Sequence, residues 1–171
     1  TVEGGPDPAT GGRAGLASMF AYTAYAGEGA GVIERDEFRN AGSSGLDPDN
    51  PYTYDVPHTE GWYSDRLHAY ERNGETAYVW NVTFDDAGDA AAFLDGYGRV
   101  VEHWGGQRRA SAGGTVWTLD GGRFDGAVRA QREGRSVTVV KAPSRSALNS
   151  VYAPAGAPTA DVEGRSGATA D

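Results

Sequence analysis

The pair Asn73-Gly74 lies between two runs of strand-forming residues, and nothing else in the chain narrows its fold so far. A two-residue type I′ turn needs positive φ at both central positions, which Asn-Gly supplies at little cost. The flanking runs, Leu67 to Glu71 and Thr76 to Thr83, are rich in aromatic and β-branched residues. A tight turn then sets the register. Arg72 faces Glu75, Tyr70 faces Ala77, His68 faces Val79 and Arg66 faces Asn81. Alternation along a strand puts Leu67, Ala69, Tyr78, Trp80 and Val82 on a core face. Arg66, His68, Tyr70, Val79 and Asn81 take the other, mixed face. A slip of one residue would exchange the two faces.

The rest of the chain is read outward from this ribbon. Residues 1–13 are rich in Gly, Pro and Asp and read as a flexible linker. Ala14 to Ala26 carries Leu16, Met19, Phe20 and Thr23 at helical spacing and predicts a helix ended by Gly27 and Gly29. Asn40 to Pro57 is a long loop, which Tyr52 and Tyr54 are expected to pin to the body. Asp85 or Asp86 can cap a second helix with an apolar stripe of Ala90, Phe93, Tyr97, Val100 and Trp104. Gly88, Gly96 and Gly98 weaken that helix by ~1 kcal/mol each relative to alanine, and Gly105-Gly106 ends it. An edge strand over 107–110 follows, then a strand over 115–119. A second hairpin, 126–132 with 136–141, is expected around Glu133-Gly134. Ser144 caps a short helix running to Val151. Beyond Ala153 there is almost nothing to bury, so 153–171 reads as a disordered tail. The expectation is one domain, 14–152, of α+β class: an antiparallel sheet built from two hairpins, with helices packed on one face.

Charge and composition limit the partners. The 171 residues carry a net charge of -9 with a pI near 4.7. With no basic patch, nucleic acid is a poor partner. Lys141 is the only lysine among the 15 basic residues; the others are arginine. Abundant Asp, small apolar residues and almost no Lys fit two origins: a halophilic proteome, in which brine screens surface repulsion, or a GC-rich genome. There is no cysteine, which excludes disulfides and thiolate metal sites. No run approaches the ~20 apolar residues of a membrane span. The chain starts at Thr1 without methionine, which reads as a processed product or a piece of a larger protein.

No catalytic constellation is present. His58, His68 and His103 show neither HExxH nor i, i+4 spacing, so no metal and no cofactor is expected. There is no GxSxG serine. Asp47-Pro48-Asp49-Asn50 resembles part of a calcium loop but lacks its glycine and terminal glutamate. Asn81-Val82-Thr83 is a glycosylation sequon, meaningful in a secreted chain with Asn81 exposed. Trp62, Asp65, Arg66 and His68 form the one cluster that stands out. It reads either as a recognition patch, an aromatic platform beside a charge pair, or as structure. In the structural reading Trp62 plugs the core edge, and Asp65 with Arg66 ties the long loop to the hairpin.

Tyr52 to Tyr54, Thr59-Glu60-Gly61-Trp62-Tyr63-Ser64-Asp65-Arg66-Leu67, Gly74 to Trp80, Trp104-Gly105-Gly106, Phe124 to Ala127 and Val139 to Pro143 together resemble the C-terminal part of haloarchaeal surface proteins. Those proteins look like secreted, lipid-anchored relatives of zinc metallopeptidases. Their HExxH helix lies upstream and has no counterpart here, so no catalytic residue carries over. The resemblance implies a non-catalytic accessory domain at the cell surface, outside the cell, packing against an upstream peptidase-like domain. Two alternatives stand beside it: an extracellular polymer- or glycan-binding module, and a small hydrolase with a carboxylate site.

Overall fold

The computed structural model describes residues 7–26, 29–111, 114–121 and 124–153. In chain order the elements are α1 (Gly12–Tyr25), α2 (Arg35–Phe38), β1 (Ala41–Gly42), β2 (Gly45–Leu46), β3 (Trp62–Arg72), β4 (Glu75–Phe84), α3 (Ala87–His103), β5 (Gln107–Ser111), β6 (Gly114–Leu119), β7 (Gly126–Glu133), β8 (Ser136–Ala142) and α4 (Leu148–Val151). Strands β3 to β8 form a six-stranded sheet in the order β3-β4-β8-β7-β6-β5. Every pairing in it is antiparallel. The fold is α+β.

The first hairpin has the register its turn dictates, from Arg72 opposite Glu75 to Arg66 opposite Asn81. Asn73 and Gly74 both have positive φ, 55° and 79°, as a type I′ turn requires. The second hairpin turns on Gly134 and Arg135 rather than on Glu133-Gly134, because Glu133 is already paired with Ser136. Helix α3 carries the chain from β4 to the far edge of the sheet. The meander β5 to β8 then returns it to pair with β4.

Helices α1 and α3 lie on one face of the sheet. Phe93 of α3 is fully buried, with the rings of Phe84, Trp80, Tyr97 and Phe20 at 5.2, 5.8, 5.9 and 6.2 Å. Asp86 caps α3 by accepting from the N–H groups of Gly88 and Asp89, at 2.7 and 3.0 Å. Gly96 and Gly98, which sequence marks as weak points, are close-approach positions. A Cβ at Gly96 would stand 2.4 Å from Cγ of His58, and one at Gly98 would stand 2.9 Å from Cζ2 of Trp117. The sheet's other face holds a smaller cluster, Val79, Val116, Ala127, Val140, Ala142 and Leu148, under the short helix α4. Buried Arg129 straps α4 down by donating to Asn149 Oδ1 (2.6 Å) and to the Tyr152 carbonyl.

The segment read as a linker is fastened to the sheet at its C-terminal end. Ala9 pairs with Leu67 on the free edge of β3, and α1 starts at Gly12. The long loop contains the small β1–β2 hairpin. It is anchored by Val56 and Thr59, both fully buried, more than by the half-exposed Tyr52, which stacks on Phe38, and Tyr54, which meets the same ring at a tilt. Gly27 and residues 154–171 lie outside the described residues.

Candidate functional site

The four residues that stood out as a cluster do not share a surface. A β-bulge at Tyr63 shifts the register between Trp62 and Ser64 and turns Trp62 onto the helix face, opposite Phe84. There it packs against the main core. Asp65 also points to the helix face, while Arg66 and His68, which pair with Asn81 and Val79, share the opposite face of the strand. Asp65 is 3% exposed. Its Oδ2 accepts from Gly11 N–H (2.8 Å) and Trp80 Nε1 (3.0 Å), and its Oδ1 accepts from Gly12 N–H (2.9 Å). It therefore does not tie down the long loop with Arg66. It caps α1, which has no side-chain cap of its own, from across the fold.

The three histidines are likewise apart. His58 has φ 71°, its Nδ1 lies 2.8 Å from the Ala92 carbonyl, and its ring rests on Phe20 at 5.3 Å. His103 Nε2 lies 3.0 Å from the Ala26 carbonyl. His68 is on the outer face. Among the described residues no group of three His, Asp or Glu side chains is placed to hold a metal ion. In the segment resembling a calcium loop, Asp47 Oδ1 is occupied by the N–H groups of Asp49 and Asn50, at 2.9 and 3.0 Å. Asn81 is exposed in mid-strand, and its Oδ1 accepts from Thr138 Oγ1 at 3.0 Å.

What the fold does assemble is a cavity of about 490 Å³ between α1, the C-terminal half of α3 and the helix face of the sheet. Gly15, Met19 and Tyr22 recur at helical spacing along the α1 wall. Tyr97, Val100, Val101 and Trp104 do the same on α3. Leu67, Tyr78, Trp80 and Val128 form the floor. Tyr22 and Phe124 line the cavity yet are 47% and 37% exposed, which places them at its mouth. Trp104 stands between them, with ring centroids 5.5 Å from each.

Polar groups are few on these walls. No carboxylate lines the cavity among the described residues. Thr10 Oγ1 is spent on the Asp65 carbonyl (3.0 Å) and Trp80 Nε1 on the Asp65 side chain. The phenols of Tyr78 and Tyr97 lie beside one another. Burial pushes Tyr97 well above the ordinary phenol range, and the nearby Tyr78 pushes it the same way. Burial raises Tyr78 as well, against a hydrogen bond with Tyr97 that pulls it down. Both therefore stay protonated, as neutral donors, through neutral pH. Lys141 completes the wall. It lines the cavity, and its Nζ donates to the Asp125 carbonyl at 3.1 Å.

Sequence reasoning did not find this site. One signal was available: Lys141 has the same strand parity as Val137 and Val139 and so points the only lysine toward the core face. The convergence of α1, α3 and the sheet around this space has no counterpart in any local pattern.

The fold and its cavity define a small α+β domain with an apolar, ligand-sized recess, a volume within the ~300–1,000 Å³ range of small-molecule sites. Residues 1–152 match the family described as a domain of unknown function (DUF8575), and the chain belongs to that family. No curated protein and no solved structure matches the chain.

Proposed function

We propose that this domain is a non-catalytic binding module that takes a small apolar molecule into the cavity between α1, α3 and the sheet. The cavity itself carries the reading: about 490 Å³, walled by aromatic and aliphatic side chains and open past Tyr22 and Phe124. Burial of apolar ligand surface supplies the affinity, and the Tyr78 and Tyr97 hydroxyls supply a polar contact that orients the guest. The absence of carboxylates from the described walls weighs against acid–base hydrolysis within the cavity. The setting we propose is a haloarchaeal surface protein, outside the cell, in which this domain is accessory to an upstream peptidase-like domain. The acidic, arginine-for-lysine composition and the sequence resemblance support that setting.

Gly15 gives a clean test. It lies in α1 on the cavity wall, and a Cβ there meets nothing within 4 Å. Gly15→Leu should fill the space while improving helix propensity by ~1 kcal/mol. Nile red, a neutral apolar dye, should bind the wild-type chain saturably with one site and alter the emission of Trp80 and Trp104. In Gly15→Leu the affinity should drop at least tenfold, with an unchanged or raised Tm. Absence of saturable dye binding to wild type, or equal binding by a folded Gly15→Leu, refutes the proposal.

A further inference from the structure

The geometry points to the class of ligand: we infer that the cavity takes an anionic amphiphile, an aliphatic chain ending in a carboxylate that pairs with Lys141. The inference rests on the cavity reading above and adds the head group to it. Charge complementarity is the argument. Lys141 is the chain's only lysine, and it sits on the inward face of β8, between Tyr78 of β4 and Val128 of β7. An inward position beside Val139 and Val137 ordinarily takes an aliphatic residue. Here a flexible cation stands in its place, in a protein whose net charge is -9.

The ammonium is not used up by the fold. One N–H goes to the Asp125 carbonyl. Among the described residues the single ion pair is Arg13–Asp55, so Lys141 has no carboxylate partner among them. Two N–H donors remain for a guest. Lysine also suits the geometry better than arginine would. A compact ammonium on a long apolar stem can serve as wall and as counter-ion at once. The chain of the amphiphile would lie along Met19, Val100, Val101 and Leu119, which are apolar and line the same space. The carboxylate would meet Lys141. A cationic head group would find no acid on the described walls.

The test uses the full chain and displacement of Nile red by decanoate, decanol and decyltrimethylammonium, each below its aggregation limit. Decanoate should outcompete decanol about tenfold at low ionic strength, the gain of one charge-assisted contact, and the cationic analogue should be weakest. Lys141→Met should bring decanoate down to the level of decanol, and Lys141→Arg should restore most of the preference. Equal binding of decanoate and decanol by wild type, or an equal loss of both in Lys141→Met, overturns the head-group assignment while leaving the cavity reading intact. If no analogue displaces the dye and the dye itself does not bind, the cavity reading fails first and this inference falls with it.

Discussion

Asp65, buried on the edge strand β3, should be costly to remove, and the reason can be worked from three distances. Its carboxylate receives Gly11 N–H, Gly12 N–H and Trp80 Nε1–H at 2.8, 2.9 and 3.0 Å. In Asp65→Ala the two amides at the start of α1 are only part-buried and can be rehydrated, so their loss resembles that of a helix cap, about 1 kcal/mol. The Trp80 contact is buried, and an indole N–H left there without an acceptor costs about 1–3 kcal/mol. Loss of negative charge at the helix N-terminus adds about 0.5 kcal/mol. The sum is roughly 2.5–4.5 kcal/mol, a large part of the ~5–15 kcal/mol that holds a domain together. Asp65→Asn keeps one acceptor oxygen and should lose about half as much. Equilibrium urea unfolding followed by tryptophan emission reads this as a midpoint lowered by roughly 1.2–2.2 M, for a slope of about 2 kcal/mol/M. Arg66→Ala, one residue along but exposed on the opposite face, should move it by less than about 0.5 kcal/mol. A shift in Asp65→Ala no larger than in Arg66→Ala would refute the tertiary-cap argument.

Three further outcomes follow from the same structure. With a net charge of -9 and one ion pair among the described residues, Tm should rise by roughly 5 °C or more between ~0.1 M and ~2 M NaCl, as the Debye length falls to about 3 Å or less; a flat or falling Tm in scanning calorimetry contradicts this. Tyr97 is held protonated in the fold, so its contribution is intact below the unfolded phenol value near 10 and is lost as pH rises from there toward the folded value. Tyr97→Phe should accordingly show a shallower alkaline decline in urea midpoint, and parallel declines would sink the burial argument. Gly96→Ala and Gly15→Ala should shift Tm in opposite directions. The first sets a Cβ 2.4 Å from His58 and the second sets one in open space; the same helix gain of ~1 kcal/mol is overrun only at Gly96, where overpacking costs about 1–3 kcal/mol.

Much of the sheet was legible because its signals are local. Asn73-Gly74 determines its own register, the second hairpin follows from strand propensity and glycine, and Asp86 with Gly105-Gly106 bounds α3. Trp62, read as a plug of the core edge, does pack against the core, though the bulge at Tyr63 that turns it there against strict alternation has no local signal. The failures share a cause. Asp65 looked like half of an ion pair with Arg66, yet neighbours in a strand face opposite ways, and its partners lie more than fifty residues away at Gly11 and Gly12. The helix glycines looked like weaknesses because propensity counts only the helix itself, whereas His58 and Trp117 need the room. The candidate site is of the same kind. Its residues come from both helices and five strands or their flanks, and only the tertiary arrangement brings them together.

The magnitude of the cavity bears on whether it is a defect of packing or a place made for something. A sealed dry void costs about 24 cal/mol per Å³, which for about 490 Å³ is roughly 12 kcal/mol, close to the entire stability of an ordinary domain. The fold avoids that penalty by leaving the space open at the mouth that Tyr22 and Phe124 line, so water can enter, but wetted aromatic and aliphatic walls still forgo burial. A guest restores it. Ligand at about a hundred times its Kd should add about 2.7 kcal/mol to the folded state, which for a domain of this size raises Tm by roughly 5–10 °C. A decanoate-saturated sample should show that rise, and Gly15→Leu, already filled by its own side chain, should show almost none. If the filled variant is stabilised by decanoate as much as the wild type is, the amphiphile is bound elsewhere and the recess between α1 and α3 is only a wet gap.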